Sequence, residues 1–267
     1  MEFGISLTAY YNSVKVSQTK ELEQDLILDL VMEHRRLMPR LGGKKLYHVL
    51  KDDLRHIGKI GRDKFFDILR SNDLLVKRKR SYSKTTNSHH RFYKWSNLLK
   101  DVELTGSNQA WGSDITYLRT INGFVYLFLI TDLYSRKIVG WSLSRSLSIE
   151  GGLEALKMAL SSWKDKSSGL IHHSDRGVQY CSQDYVKRLQ KAGVSISMTE
   201  ENHCYENAKA ERVNGILKDE FCLNATFNDF EQTAKAVRSA IKIYNEHRPH
   251  WSLGLKTPSQ VHGQRVA

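Results

Sequence analysis

The spacing of apolar positions changes character along the chain, and each change marks a different kind of element. Over residues 19–36, Leu22, Leu26, Ile27, Leu30 and Val31 form one stripe among charges, the period of about 3.6 residues expected of an amphipathic helix. Pro39, Gly42 and Gly43 interrupt it, because proline disfavours helical backbone in the residue before it. A second helical stretch carries Leu46, Leu50 and Leu54, and a third, residues 62–70, follows Gly58 and Gly61 with Phe65, Phe66 and Leu69 turned inward. Two short helices around a glycine-containing turn predict a helix-turn-helix-like unit over 1–76. Arg62 and Lys64, at the start of its last helix, are the candidate DNA contacts. A small helical bundle with solvated charges is the alternative.

From about residue 105 the period is that of strands. Residues 111–117, 123–132 and 136–143 are β-rich, with Asn122-Gly123 marking a tight hairpin and Tyr134-Ser135 a turn. A helix with Leu153, Leu156, Leu160 and Trp163 on one face follows, then a short buried strand at 170–173. A helix near 182–192, a strand near 194–198 and two long helices at 205–221 and 229–246 complete the pattern. The last of these has Asn228 and Glu231 at capping-box spacing, and Phe230, Ala234, Val237, Ile241 and Tyr244 along a stripe suited to core packing. Three antiparallel strands followed by alternating helices and strands imply an α/β fold, a mixed five-stranded sheet flanked by helices. The division expected is a helical region 1–76, a linker 77–104, an α/β core 105–225 and a helical extension 226–267.

Charge narrows the partner. Lys and Arg number 41 against 29 Asp and Glu, a net charge of +12. Such a surplus points to a polyanion, with nucleic acid the first candidate; a basic protein without such a partner is the alternative. Residues 77–100 hold no Asp or Glu, open with Lys77, Arg78, Lys79 and Arg80, and interleave Phe92, Tyr93 and Trp95. This suits a strap along a phosphate backbone, or else a solvated linker. His89 and His90 lack the Cys or acidic companions of a metal site. No apolar run approaches the roughly 20 residues that span a bilayer, and the first residues do not read as a secretion leader. Cys181, Cys204 and Cys222 are odd in number and form no CxxC pair, which argues against a disulfide framework or zinc ribbon and fits a cytoplasmic location.

Three acids stand out. Asp114 sits mid-strand, where a carboxylate is costly, on the face shared by Gly112 and Thr116. Asp175 follows a buried strand and precedes Gly177, and Glu211 lies on a helical stripe with Asn207, Asn214 and Lys218. Carboxylates converging from separate elements suit Mg²⁺, a hard ion that keeps some sites for water or phosphate oxygens. Two such ions about 4 Å apart can activate an attacking oxygen and stabilise a departing one. On this reading Asp114 bridges the ions, Asp175 and Glu211 each hold one, and Lys218 steadies a phosphate, with Asn207 and Asn214 beside the DNA.

Thirty-five residues lie between Asp175 and Glu211. That spacing, with Trp111-Gly-Ser-Asp-Ile-Thr-Tyr117, Asp132-Leu-Tyr-Ser-Arg-Lys-Ile-Val-Gly-Trp141, His173-Ser-Asp-Arg-Gly-Val-Gln-Tyr180 and Cys204-Tyr-Glu-Asn-Ala-Lys-Ala-Glu211, resembles the integrase-core transposases. The likeness is greatest to the OrfB-type proteins of insertion sequence family three. Tyr244-Asn-Glu-His-Arg-Pro-His250 with Leu253, Gly254 and Pro258 resembles that family's C-terminal signature, and Arg35, Pro39, Gly42 and Leu46 its helical lead-in. The resemblance implies a ribonuclease-H-like fold and a catalytic triad of Asp114, Asp175 and Glu211. It also implies Mg²⁺ as the ion, with Mn²⁺ able to replace it. The substrate implied is double-stranded DNA at the terminal inverted repeats of a mobile element. The activity implied is cleavage that leaves a 3′-hydroxyl, then strand transfer, first joining one end beside the other. A homo-oligomer on DNA and a helix-turn-helix partner from an upstream frame are the partners implied. Glu206 rivals Glu211 but has the wrong spacing from Asp175, and Asp132 reads as structural. A silent DNA-binding repressor and a plain metal-dependent nuclease of the same fold are the competing readings.

Overall fold

The computed structural model describes residues 6–77, 92–100, 102–164, 169–200 and 207–264. The chain divides into two compact units, Met1–Lys79 and Arg80–Ala267, and the division falls inside the basic segment.

The first unit is four helices: α1 (Leu7–Leu37), α2 (Gly43–Val49), α3 (Lys51–Ile57) and α4 (Arg62–Ser71). α1 packs on α3, and α2 on α3 and α4. Its core is Ile27 and Val31 with Leu46, Leu50, Leu54, Phe65 and Leu69. The expected α1 stripe is half right. Leu22 and Leu26 are 66% and 53% exposed, because the short helices cover only the C-terminal part of this long one. Arg35 ties the unit together, its guanidinium donating to the carbonyls of Pro39 and Leu74.

The second unit is built on one sheet: β1 (Ala110–Thr120), β2 (Gly123–Asp132), β3 (Ile138–Ser144), β4 (Leu170–Ser174), β5 (Val194–Met198) and β6 (Thr226–Phe227). The strand order is β3-β2-β1-β4-β5, with the two-residue β6 joining the far end of β1 as a sixth strand beyond the five expected. β1, β2 and β3 are antiparallel; β4, β5 and β6 join in parallel. Thr120 pairs with Gly123 across the hairpin, and Gly123 takes φ 118, a conformation open to glycine.

Around the sheet lie α5 (Ile149–Ser162), α6 (Val178–Cys181), α7 (Gln183–Lys191), α8 (Ala208–Glu220), α9 (Phe230–Glu246) and α10 (Pro258–His262). The expected face of α5 does turn to the core, with Leu156 and Trp163 buried, but small residues widen it. Gly151, Gly152, Ala155, Leu156 and Ala159 are buried, while Leu153 and Leu160 flank the core. The approach is very close: a Cβ at Gly140 would collide with the Ala155 carbonyl and lie 2.8 Å from the Ala159 Cβ. α9 starts one residue later than its capping signal implied, with Asp229 accepting from the Gln232 amide. The C-terminal signature is a set of clamps. Asn245 bonds both ways with the Ile138 backbone, the Tyr244 hydroxyl donates to the Arg136 carbonyl, and Arg248 forks onto Glu220 of α8 at 2.8 and 2.7 Å. No helix among the described residues is long and apolar enough to cross a membrane.

Candidate active site

Register alone brings two of the acids together. β1 and β4 run parallel with Gly112 opposite His173, so two residues further on Asp114 comes level with Asp175, just past the end of β4. There β1 continues without β4, and a cleft opens, lined by both aspartates with Tyr117, Tyr126, Leu147 and Val178. Asp175 Oδ1 accepts from the Gly177 amide at 3.0 Å. A Cβ at Gly177 would sit 2.9 Å from that same oxygen, so a side chain there would push the Asp175 carboxylate from its place.

Asp114 Oδ2 accepts from Asn214 Nδ2 at 2.7 Å, and Oδ1 from the amide of Ile115 at 2.9 Å. Burial pushes its carboxyl up to about 7; the Asn214 hydrogen bond opposes this, and Asp175 and Glu211 add to it by repulsion. Glu211, in the first turn of α8, is itself raised by burial and then by Asp175. The three acids named from the sequence therefore share one electrostatic field, supplied by a strand, a strand end and a helix. No group of three His, Cys, Asp or Glu side chains among the described residues is arranged to hold a metal ion as the chain stands.

The amides on the α8 stripe bond to β1. Asn207 Nδ2 donates to the Ser113 carbonyl at 3.1 Å, and both Asn207 and Asn214 are buried. They hang the helix, and Glu211 with it, from the strand that carries Asp114. Lys218 Nζ lies 4.6 Å over the Tyr117 ring, and burial lowers its pKa. In the helical unit, Arg62 pairs with Asp63 and Lys64 with Glu23, each at 2.9 Å. Lys77 is exposed; Arg78, Lys79 and Arg80 lie outside the described residues, as do Cys204 and Glu206.

Sequence reasoning missed the polar layer behind the acids. Ser113 Oγ and the Tyr185 hydroxyl meet His172 Nε2 at 2.6 and 3.0 Å, and His173 Nδ1 meets Ser197 Oγ at 2.8 Å. Burial, then the His173 ring, hold His172 down at about 3, so it is a neutral bridge joining β1, β4 and α7. The signal was present: two adjacent histidines in a strand read as fully buried need partners. Asp132 is also internal. Burial would raise its carboxyl, but the His262 ring 3.9 Å away and bonds from Ser135 and from the Asn108 amide bring it below the usual value.

Known proteins share both the sequence and the architecture. Integrase core domain families match residues 105–204 and 192–258. The insertion element IS600 31 kDa protein of Shigella sonnei is 36% identical over 262 residues, 96% of this chain and 94% of that one. The transposase InsF of insertion sequence IS3fB from Escherichia coli K12 is 37% identical over 202 residues, 74% of this chain and 69% of that one. A chain of the simian T-cell lymphotropic virus intasome, solved with the PP2A regulatory subunit B56 gamma, superposes with TM-score 0.52 at 16% identity, covering 85% of this chain and 72% of that chain. That likeness establishes the fold, ribonuclease-H-like, and nothing finer. Fold and sequence together define an integrase-core protein. More narrowly, the chain belongs to the OrfB-type transposases of insertion sequence family three.

Proposed function

We propose that the chain is a strand-transferring transposase of the three-acid kind, with Asp114, Asp175 and Glu211 as its catalytic residues. The observation that carries this reading is the state of Asp114. Register and the shared cleft put its carboxylate beside Asp175, and its carboxyl, raised to about 7 chiefly by burial and further by Asp175 and Glu211, is a buried acid that a bound cation would relieve. Asn214 Oδ1 is buried without a hydrogen-bond partner beside that carboxyl, and such an acceptor fits the hydration shell of a hard divalent ion. Asp114, Asp175 and Glu211 would hold Mg²⁺, or Mn²⁺ in its place, which when bound lowers the pKa of water and neutralises charge on phosphoryl oxygens.

The protein's own task is positioning, as phosphoryl transfer requires little covalent chemistry from side chains. Water attacks a phosphodiester at the element's end, the P–O bond to the departing strand breaks, and a 3′-hydroxyl remains. That hydroxyl attacks a second phosphodiester and displaces its leaving oxygen. Asn214 holds Asp114 in one orientation, Gly177 aims Asp175, and Asn207 keeps α8 against β1. Lys218 meets a phosphate beside the scissile bond. The chain acts as a homo-oligomer on double-stranded DNA, bringing two ends together, with a helix-turn-helix partner from an upstream frame as a further component.

The test is a joining assay with Mg²⁺ and a labelled duplex bearing the element's end, run beside Glu211→Gln. Joined strands from the wild type alone are the expected result. Cleavage without joining would indicate a nuclease, and binding with no metal-dependent chemistry a repressor.

A further inference from the structure

The α/β unit carries a second cleft that shares no lining residue with the cleft of Asp114 and Asp175. Three cations converge on it from separate segments: Arg136 from the turn between β2 and β3, Lys209 from the first turn of α8, and Lys256 from the loop after the 3-10 turn Trp251–Leu253. Tyr134 and Ser252 add hydroxyls to the lining, and Glu103 is its acid. None of the three cations forms an ion pair with an acid among the described residues.

The arrangement is costly for the protein alone. Arg136 is held at φ 64, in the left-handed region that side chains disfavour. Its Nη1 donates to the Leu133 carbonyl at 2.6 Å, which fixes the guanidinium in a half-buried place. Like charges gathered in a concave site are relieved by an anion, and a planar guanidinium with two ammonium groups suits a phosphate.

We propose that this cleft holds a phosphate of the DNA backbone, giving the α/β unit a grip on the duplex separate from the joining site. The proposal rests on the transposase reading only in taking DNA as the ligand. Element end and target share the same phosphate chemistry, and the test separates them.

The experiment measures binding of the full chain to two labelled duplexes, one with the element's end and one of unrelated sequence, in metal-free buffer over a range of salt. The Lys209→Glu, Lys256→Glu double variant is compared with wild type. A Lys187→Glu, Arg188→Glu variant on the exposed side of α7 carries the same change in net charge. The slope of log K against log salt should become shallower by about 0.9, the change expected when one phosphate loses its neutralising cations. Affinity at the lowest salt should fall by roughly tenfold or more, with a much smaller loss in the α7 variant. A loss on the end duplex alone assigns the cleft to the element's end, and a loss on both to backbone of any sequence. Unchanged slope and affinity, or an equal loss in the α7 variant, would overturn the cleft while leaving the transposase reading intact. A wild type that binds neither duplex would overturn both.

Discussion

At the scale of single residues, the proposed role of Asp114 and its contribution to stability pull in opposite directions. Its carboxyl is raised in the folded chain relative to its ordinary value, so ionisation opposes folding. The sign follows: stability is greatest below the unfolded pKa and declines as pH rises towards about 7. Replacing Asp114 by Asn should therefore abolish joining yet raise the melting temperature of the metal-free chain at neutral pH. A gain of on the order of 1–2 kcal/mol corresponds to a few degrees for a chain of this size. A drop in melting temperature would show that the carboxylate serves structure. Asn214→Ala removes the donor to Asp114 Oδ2; we expect a fall in joining rate of about tenfold or more, since a charge-assisted bond of this kind contributes about 1.5–3 kcal/mol. A rate within twofold of wild type would remove Asn214 from the site. The three proposed acids stood out in the sequence in different ways: Asp114 in mid-strand, Asp175 at a strand end and Glu211 on a stripe of amides. What the two asparagines bond to was not legible, because a stripe of amides on a helix looks the same whether it meets solvent or a strand.

At the scale of elements, hydrophobic period found every long helix and strand of the α/β unit and the inward side of α5, but not the small residues that make its closest approach to the sheet. Leucines draw attention as core residues, yet the closest contact with the sheet belongs to Gly140, Gly151, Ala155 and Ala159. Small residues carry little hydrophobic signal, and their value lies in the short distance they permit. Gly140→Ala should therefore cost more than an added methyl group normally does, about 2–3 kcal/mol as overpacking, read as a lower denaturation midpoint with unchanged m-value. A neutral outcome would mean that α5 can move away from the sheet. The two-residue β6 escaped detection for a simpler reason: Thr226 and Phe227 are too few to show a period. The clamps of Asn245 and Arg248 were visible as a motif whose purpose only packing reveals.

At the scale of the whole molecule, charge is the property the sequence declares first. Of the net +12, residues 77–100 supply +8, with eight Lys and Arg and no Asp or Glu, and in the helical unit Arg62 and Lys64 are already engaged with acids. That shifts the expected electrostatic contact towards the intervening segment. Neutralising Lys77, Arg78, Lys79 and Arg80 together should flatten the salt dependence of DNA binding by about 0.9 for each phosphate that these side chains neutralise. A slope equal to that of the wild type would show that this segment stays clear of the backbone.

The parallel pairing of β1 with β4 has a further consequence, for the order in which the protein comes into being. Sixty residues lie between Asp114 and Asp175, whereas β1, β2 and β3 close on one another through short turns. Local pairings form quickly and distant ones slowly. A growing or partly opened chain can thus hold its hairpins while its acids remain apart, each titrating as an ordinary carboxyl. The three acids meet only when β4 docks and α8 is hung from β1, so on the proposed reading any joining activity waits for the last, most distant contacts.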